Sequence, residues 1–141
     1  MWQPKNVETR DGDGRSELLL GKQTSHLKDF AMIQPTTSFK DNLQLLPAIT
    51  SLARINLLKQ DGTVVASIEN QPGKQGSLAV YQYLQQAFGS LTPTAAEHGL
   101  AVFAEHTLDA KNRPGAHPNI DLLLSVLADK DPLDIQLITA D

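Results

Sequence analysis

The chain is expected to fold as a small α+β domain: a three-stranded sheet, built from a β-hairpin and a C-terminal strand, packed with about four helices in the order α-β-β-α-α-α-β. Three observations predict this. Apolar residues recur at helical spacing over four separate stretches after residue 38. The period changes to two on both sides of an Asp61-Gly62 turn signal, and again after Asp131-Pro132. A length of 141 residues supports one domain and leaves little for a second.

Each element has a local reason. Ser38 opens the first helix as an N-cap, with Asp41 at the third helical position. Phe39, Leu43 and Leu46 follow at helical spacing, and Pro47 closes the stretch. Ala53, Ile55 and Leu57 then alternate with Arg54 and Asn56, while Val64, Ala66 and Ile68 alternate with Val65, Ser67 and Glu69. These are the two arms of the hairpin. After a loop at 70–76, Ser77 reads as the cap of a second helix with the stripe Val80, Tyr81, Leu84, Ala87 and Phe88, ended by Gly89. Thr94 followed three residues later by Glu97 has the form of a capping box for a third helix. That helix carries Ala96, Leu100, Phe103, Thr107 and Ala110 inward, sets Glu97, His98, Glu105 and Asp109 on or near its wet side, and stops at Arg113-Pro114-Gly115. Asn119 caps a fourth helix with Ile120, Leu123, Leu124 and Leu127. Leu133, Ile135 and Leu137 alternate in a last strand, which is expected beside one strand of the hairpin.

The domain is expected over residues 38–141, behind a poorly structured N-terminal extension at 1–37. The extension mixes Asp11-Gly12-Asp13-Gly14 with charges, and only Leu18 to Leu20 could bury anything. Met32, close before the first helix, is a candidate start of the natural chain, with an ordinary internal methionine as the alternative. Trp2 is costly to leave in water and could dock on its own domain or on a second subunit, with a disordered tail as the plainer reading.

In residues 1–37, Lys5, Arg10, Arg15, Lys22 and Lys28 balance Glu8, Asp11, Asp13, Glu17 and Asp29, so the formal net charge of −4 falls on the remainder. A mildly acidic domain with scattered Lys and Arg lacks the electrostatic footprint of a nucleic-acid or anionic-membrane partner. The absence of cysteine excludes disulfides, thiolate nucleophiles and cysteine-based metal sites. No apolar run approaches the roughly 20 residues of a bilayer span. A soluble cytoplasmic protein is the expectation.

Two clusters could carry chemistry. The loop Glu69 to Ser77 joins a strand to a helix, and Gly73, Lys74, Gly76 and Ser77 could hold an anion through converging N–H groups, the helix dipole and one full positive charge. It is not a P-loop, because Lys74 follows Gly73 directly and Gln75 stands where Ser or Thr is needed. A connector whose glycines serve the turn is the plainer reading. The second cluster is His106, Asp109 and His117, with Arg113 sharing the face of His106 and Asp109. Imidazole and carboxylate suit Zn²⁺ or Fe²⁺ ligation or general-base catalysis, but no His-Glu-x-x-His pattern accompanies them. Boundary histidines bonded to loop groups are the plainer reading. Asp11 to Ser16 fails as a calcium loop, with Arg15 and Ser16 at positions that demand Asp or Asn and Gly.

The chain resembles a family of small uncharacterised proteobacterial proteins, a domain of unknown function, from about residue 38 to the end. The stretches that carry the resemblance are Ser38 to Asn42, Ile68 to Leu78, Phe103 to Thr107 and Pro114 to Leu123. It implies that both candidate clusters are family features, and it implies no activity, substrate or cofactor. Two readings follow. The leading one is a non-catalytic binding or protein-interaction module, with a homodimer or another protein as partner. The alternative is a metal-dependent enzyme using His106, Asp109 and His117.

Overall fold

A computed structural model describes residues 32–140, and the compact unit that begins at Ile33 holds all of their secondary structure. Residues 1–31 of the expected extension, with Trp2 and Leu18 to Leu20, lie outside the described residues. The elements are α1 (Phe39–Leu43), β1 (Leu52–Leu58), β2 (Val64–Glu69), α2 (Gln75–Phe88), α3 (Pro93–Phe103), α4 (Glu105–Asn112), α5 (Pro118–Asp129) and β3 (Asp134–Thr139). The α+β class and the three-stranded sheet are as the sequence predicts. The expected third helix runs as two, α3 and α4.

The sheet order is β2-β1-β3, and both pairings are antiparallel. The hairpin strand that receives β3 is therefore β1, which becomes the central strand. Strict alternation fails at two bulges. Against β3, Leu52 faces Thr139 and Arg54 faces Ile138, so Ala53 is the extra residue. This turns Leu52, not Ala53, toward the core beside Ile55 and Leu57. Against β2, Leu57 faces Ala66 and Leu58 faces Val64, and Val64 and Val65 are both exposed there. The outward face carries one polar row across all three strands: Ser67 Oγ donates to Asn56 Oδ1 at 2.6 Å, and Asn56 Nδ2 donates to Gln136 Oε1 at 3.1 Å.

The inward face is covered by α2, which contacts all three strands. Every residue from Leu78 to Leu84 is buried, a wider surface than the apolar stripe of an amphipathic helix, because α3 also packs on α2. Helices α3 and α5 pack on each other, and Gly99 makes the junction possible. A Cβ at Gly99 would lie 2.9 Å from Leu84 Cδ1 of α2 and 3.0 Å from Leu123 Cδ1 of α5. Leu91 and Leu133 form a short antiparallel bridge that ties the α2–α3 connection to the approach to β3.

The break between α3 and α4 sits at Ala104, with φ 55° and ψ −120°. This conformation is unfavourable for a residue with a Cβ. The carbonyls freed near the break find side-chain donors. Thr107 Oγ1 donates to Leu100 O at 2.6 Å, and Asn42 Nδ2 donates to Val102 O at 2.9 Å. Asn42 is fully buried, and its Nδ2 also donates to Thr36 O while its Oδ1 accepts from Thr36 N and Thr36 Oγ1. One amide thereby holds residues 36–42 against the end of α3.

Two measurements check this packing. Gly99→Val should lower unfolding stability in denaturant melts by about 2 kcal/mol or more, since three side-chain atoms would enter a gap that does not admit one. Ala104→Gly should raise stability by about 1 kcal/mol, because glycine adopts a positive φ without the Cβ penalty.

Candidate functional site

The β2–α2 loop is held from below by Asn70. Its Nδ2 donates to Leu52 O at 2.8 Å and to Ile49 O at 3.2 Å, and its Oδ1 accepts from Gln75 Nε2 at 2.9 Å. Gly73 then turns the chain at φ +88°. Helix α2 starts three residues earlier than Ser77 suggests, with Lys74 at the N-cap position and no side-chain cap. The first intrahelical bond runs from Leu78 N to Lys74 O at 3.0 Å, so Ser77 sits in the first turn, where N–H groups have no intrahelical acceptor. Helix α5 starts in the same manner. His117 rather than Asn119 occupies its N-cap position, Pro118 is the first helical residue, and no side chain caps it.

These two helix starts open on one cleft of about 370 Å³. Gly73, Lys74 and Ser77 line it from the start of α2, and His117, Pro118 and Asn119 from the start of α5. Phe103 and His106, on either side of the Ala104 break, and Phe39 of α1 complete the apolar wall. Phe39 stacks on Phe103 with centroids 5.2 Å apart and meets the His106 ring edge-on at 5.1 Å. Its backbone N–H donates to Glu105 Oε1 at 2.8 Å, and this bond holds Glu105 below the usual carboxylate range. The opposite wall is fixed by Tyr81, a fully buried side chain whose hydroxyl donates to Asn119 O at 2.6 Å. Burial pushes the Tyr81 hydroxyl far above its ordinary pKa, so it stays a donor.

His106 and His117 meet in this cleft with ring centroids 5.6 Å apart. Asp109 stands behind them, outside the lining. Its Oδ2 is 2.6 Å from His117 Nε2, its Oδ1 accepts from Arg113 Nε at 2.9 Å, and Arg113 Nη2 donates to Oδ2 as well. The Arg113 bonds, and next to them the His117 bond, hold the Asp109 carboxyl well below the usual carboxylate range. An ionised carboxylate can only accept, so His117 carries its Nε2 proton toward Asp109. The His117 side chain is 28% exposed and that of Asp109 37%.

The two clusters singled out in the sequence thus converge, with differences. Gly76 is not in the lining. A Cβ there would come within 3.2 Å of the Phe39 ring, so its bareness seats α1 on α2. Asp109 faces Arg113 and His117 rather than the cleft, and among the described residues no group of three or more His, Asp or Glu side chains is placed to hold a metal ion. His98, expected near the wet side, packs against Tyr83 and Phe88, and its Nε2 lies 2.7 Å from the Tyr83 hydroxyl. The aromatic pair Phe39 and Phe103 is part of the cleft that sequence reasoning did not reach. The short Phe39–Leu43 helix showed only as an N-cap and an apolar period, with nothing to say that it packs on α2 and α3.

No helix among the described residues is long and apolar enough to cross a membrane. Residues 39–137 match the family of uncharacterized proteins conserved in bacteria, DUF2322, and the chain belongs to that family. No curated protein and no solved structure matches it.

His98 supplies a test of the packing beside this region. Burial lowers its pKa below the ordinary 6.5. A histidine depressed in the folded state contributes its full stability above the unfolded value and loses it as pH falls through the lower folded value. Thermal stability should therefore decline from pH 7.5 to pH 5, and His98→Gln, which keeps an acceptor for Tyr83, should flatten that part of the profile.

Proposed function

We propose that the protein is a binding module that takes a small anion, a carboxylate or a phosphate, in the cleft between the starts of α2 and α5. One observation carries the reading: Lys74 and Ser77 line the same cavity as His106 and His117. The cavity therefore combines one full positive charge, two imidazoles, and two helix starts without side-chain caps. The lysine charge and the helix starts favour negative charge, and the partly enclosed cleft screens them less than open water would. Phe39 and Phe103 offer an apolar surface for the remainder of a small ligand.

The metal-dependent enzyme on His106, Asp109 and His117 is the less favoured reading, since Asp109 is engaged by Arg113 and His117. The two outer strands of the sheet, β2 and β3, suit edge-to-edge association of two copies. A cytoplasmic location agrees with the absence of cysteine.

Titration with inorganic phosphate and with acetate, followed by amide NMR, tests the binding reading. Shifts should concentrate at Lys74, Ser77, His117 and Asn119. Lys74→Ala should weaken the affinity about tenfold, or about 1.4 kcal/mol. Unchanged affinity in that variant, or shifts scattered over the surface, would remove the cleft from consideration.

A further inference from the structure

We infer that the cleft also carries out chemistry on its ligand: His117 acts as the general base, with Asp109 as its positioning residue, in the hydrolysis of a small acyl ester whose carboxylate product is the anion the cleft holds. The inference rests on the anion-binding reading and adds a reaction to it.

The geometry gives His117 a fixed tautomer. Nε2 is turned to Asp109 at 2.6 Å and carries the proton of that bond. Nδ1 keeps its lone pair, and among the described residues no group bonds to it. His117 lines the cleft and Asp109 does not, and with Nε2 tied to Asp109 the nitrogen left for chemistry is Nδ1. Asp109 is itself clamped by two Arg113 bonds, which leaves one orientation for the carboxylate and hence for the imidazole. This is the arrangement in which a carboxylate orients a histidine without taking its proton.

The remaining groups fit the charge changes of ester hydrolysis. His117 Nδ1 takes a proton from water as the water oxygen bonds to the ester carbonyl carbon. The carbonyl oxygen becomes an oxyanion, and Lys74 and the first-turn N–H groups of α2 are the donors available to it at the cleft. The intermediate then expels the alcohol oxygen, the carbon–oxygen ester bond breaks, and the proton on Nδ1 passes to the leaving alkoxide. One water is consumed, one acid and one alcohol are released, and His117 returns to its starting form without any oxidant, reductant or further reactant. His106, with its ring centroid 5.6 Å away and its edge against Phe39, closes the space beside the reacting imidazole.

The experiment is hydrolysis of p-nitrophenyl acetate by the full chain, wild type against His117→Asn, Asp109→Asn and His98→Gln, with the acetate titration run on each. The wild type should exceed free imidazole at equal concentration. His117→Asn should lose at least about 100-fold in kcat/KM, the range general-base catalysis supplies, and His98→Gln should keep the wild-type rate. Asp109→Asn should lower the rate, move the pH profile and shift the imidazole ¹⁵N signals toward the Nδ1-protonated tautomer, because an amide can donate to Nε2. A wild type no faster than His117→Asn, with acetate still shifting Lys74 and Ser77, would overturn the catalytic inference and leave the binding reading standing. No turnover and no acetate shifts would overturn both. Should the variants fail to fold, the wild-type ¹⁵N spectrum decides: a proton on Nδ1 excludes the base, and a proton on Nε2 together with turnover supports it.

Discussion

Three helices can meet at one point only if one of them gives up a side chain, and Gly99 is that point. Without a Cβ, α3 settles against Leu84 of α2 and Leu123 of α5 at once. Glycine inside a helix costs about 1 kcal/mol relative to alanine, so the sequence accepts a local loss for a tertiary junction. The junction has a consequence at the far ends of its two partners. Seated on the same helix, α2 and α5 begin on facing walls of one cleft, and each begins without a side-chain cap. The Ala104 break, just past the end of α3, then brings α4 and its His106 to the same place. The cleft thus arises where packed helices begin, with the turn at Gly73, the loop residues Ala116 and His117 and the strand residues Ser67 and Ile68 completing its lining.

The parts of this fold that were legible in the sequence are those decided locally. Ser38 caps α1 by accepting from Asp41 N at 3.3 Å, Gly89 ends α2 at φ +83°, and Asp61 bonds Thr63 N at 2.9 Å in the hairpin turn, each within three or four residues of its signal. One misreading was local, since Thr92 and not Thr94 caps α3, accepting from Ala95 N at 3.1 Å, while others depend on distant partners. The bulge at Ala53 arises from pairing with a strand far along the chain, so period-two counting placed the wrong residue inward. Ala104 has no composition signal at all. Its break is tolerated because Thr107 and Asn42 receive the freed carbonyls, and Asn42 lies some 60 residues away. Lys74 and His117 at the N-cap positions defied capping rules, which look for a side-chain acceptor at a helix start. The clusters at 73–77 and 106–117 were visible as separate motifs, and only packing joins them.

The charge arrangement in the cleft follows one logic. Three polar supports lie just behind the lining: Asp109 under His117, Asn70 under the loop, the Tyr81 hydroxyl under Asn119. Lys74, Ser77 and His117, which line the cavity, belong to the loop and helix starts that these supports brace.

The central position of β1 also governs the order in which the molecule can be assembled. Its partner β2 follows after a short turn, but its other partner, β3, is some 80 residues further along, as the Asn56–Gln136 pair records. Contacts so distant in the chain form late, because the loop that joins them must be closed first. During synthesis the hairpin and the five helices of the described residues emerge while one side of β1 still exposes its backbone N–H and C=O groups to other chains. Only residues 134–139 complete the sheet. A nascent chain stalled before that strand would hold an almost finished helical layer over an open β edge, the state most prone to associate with its neighbours on the same polysome.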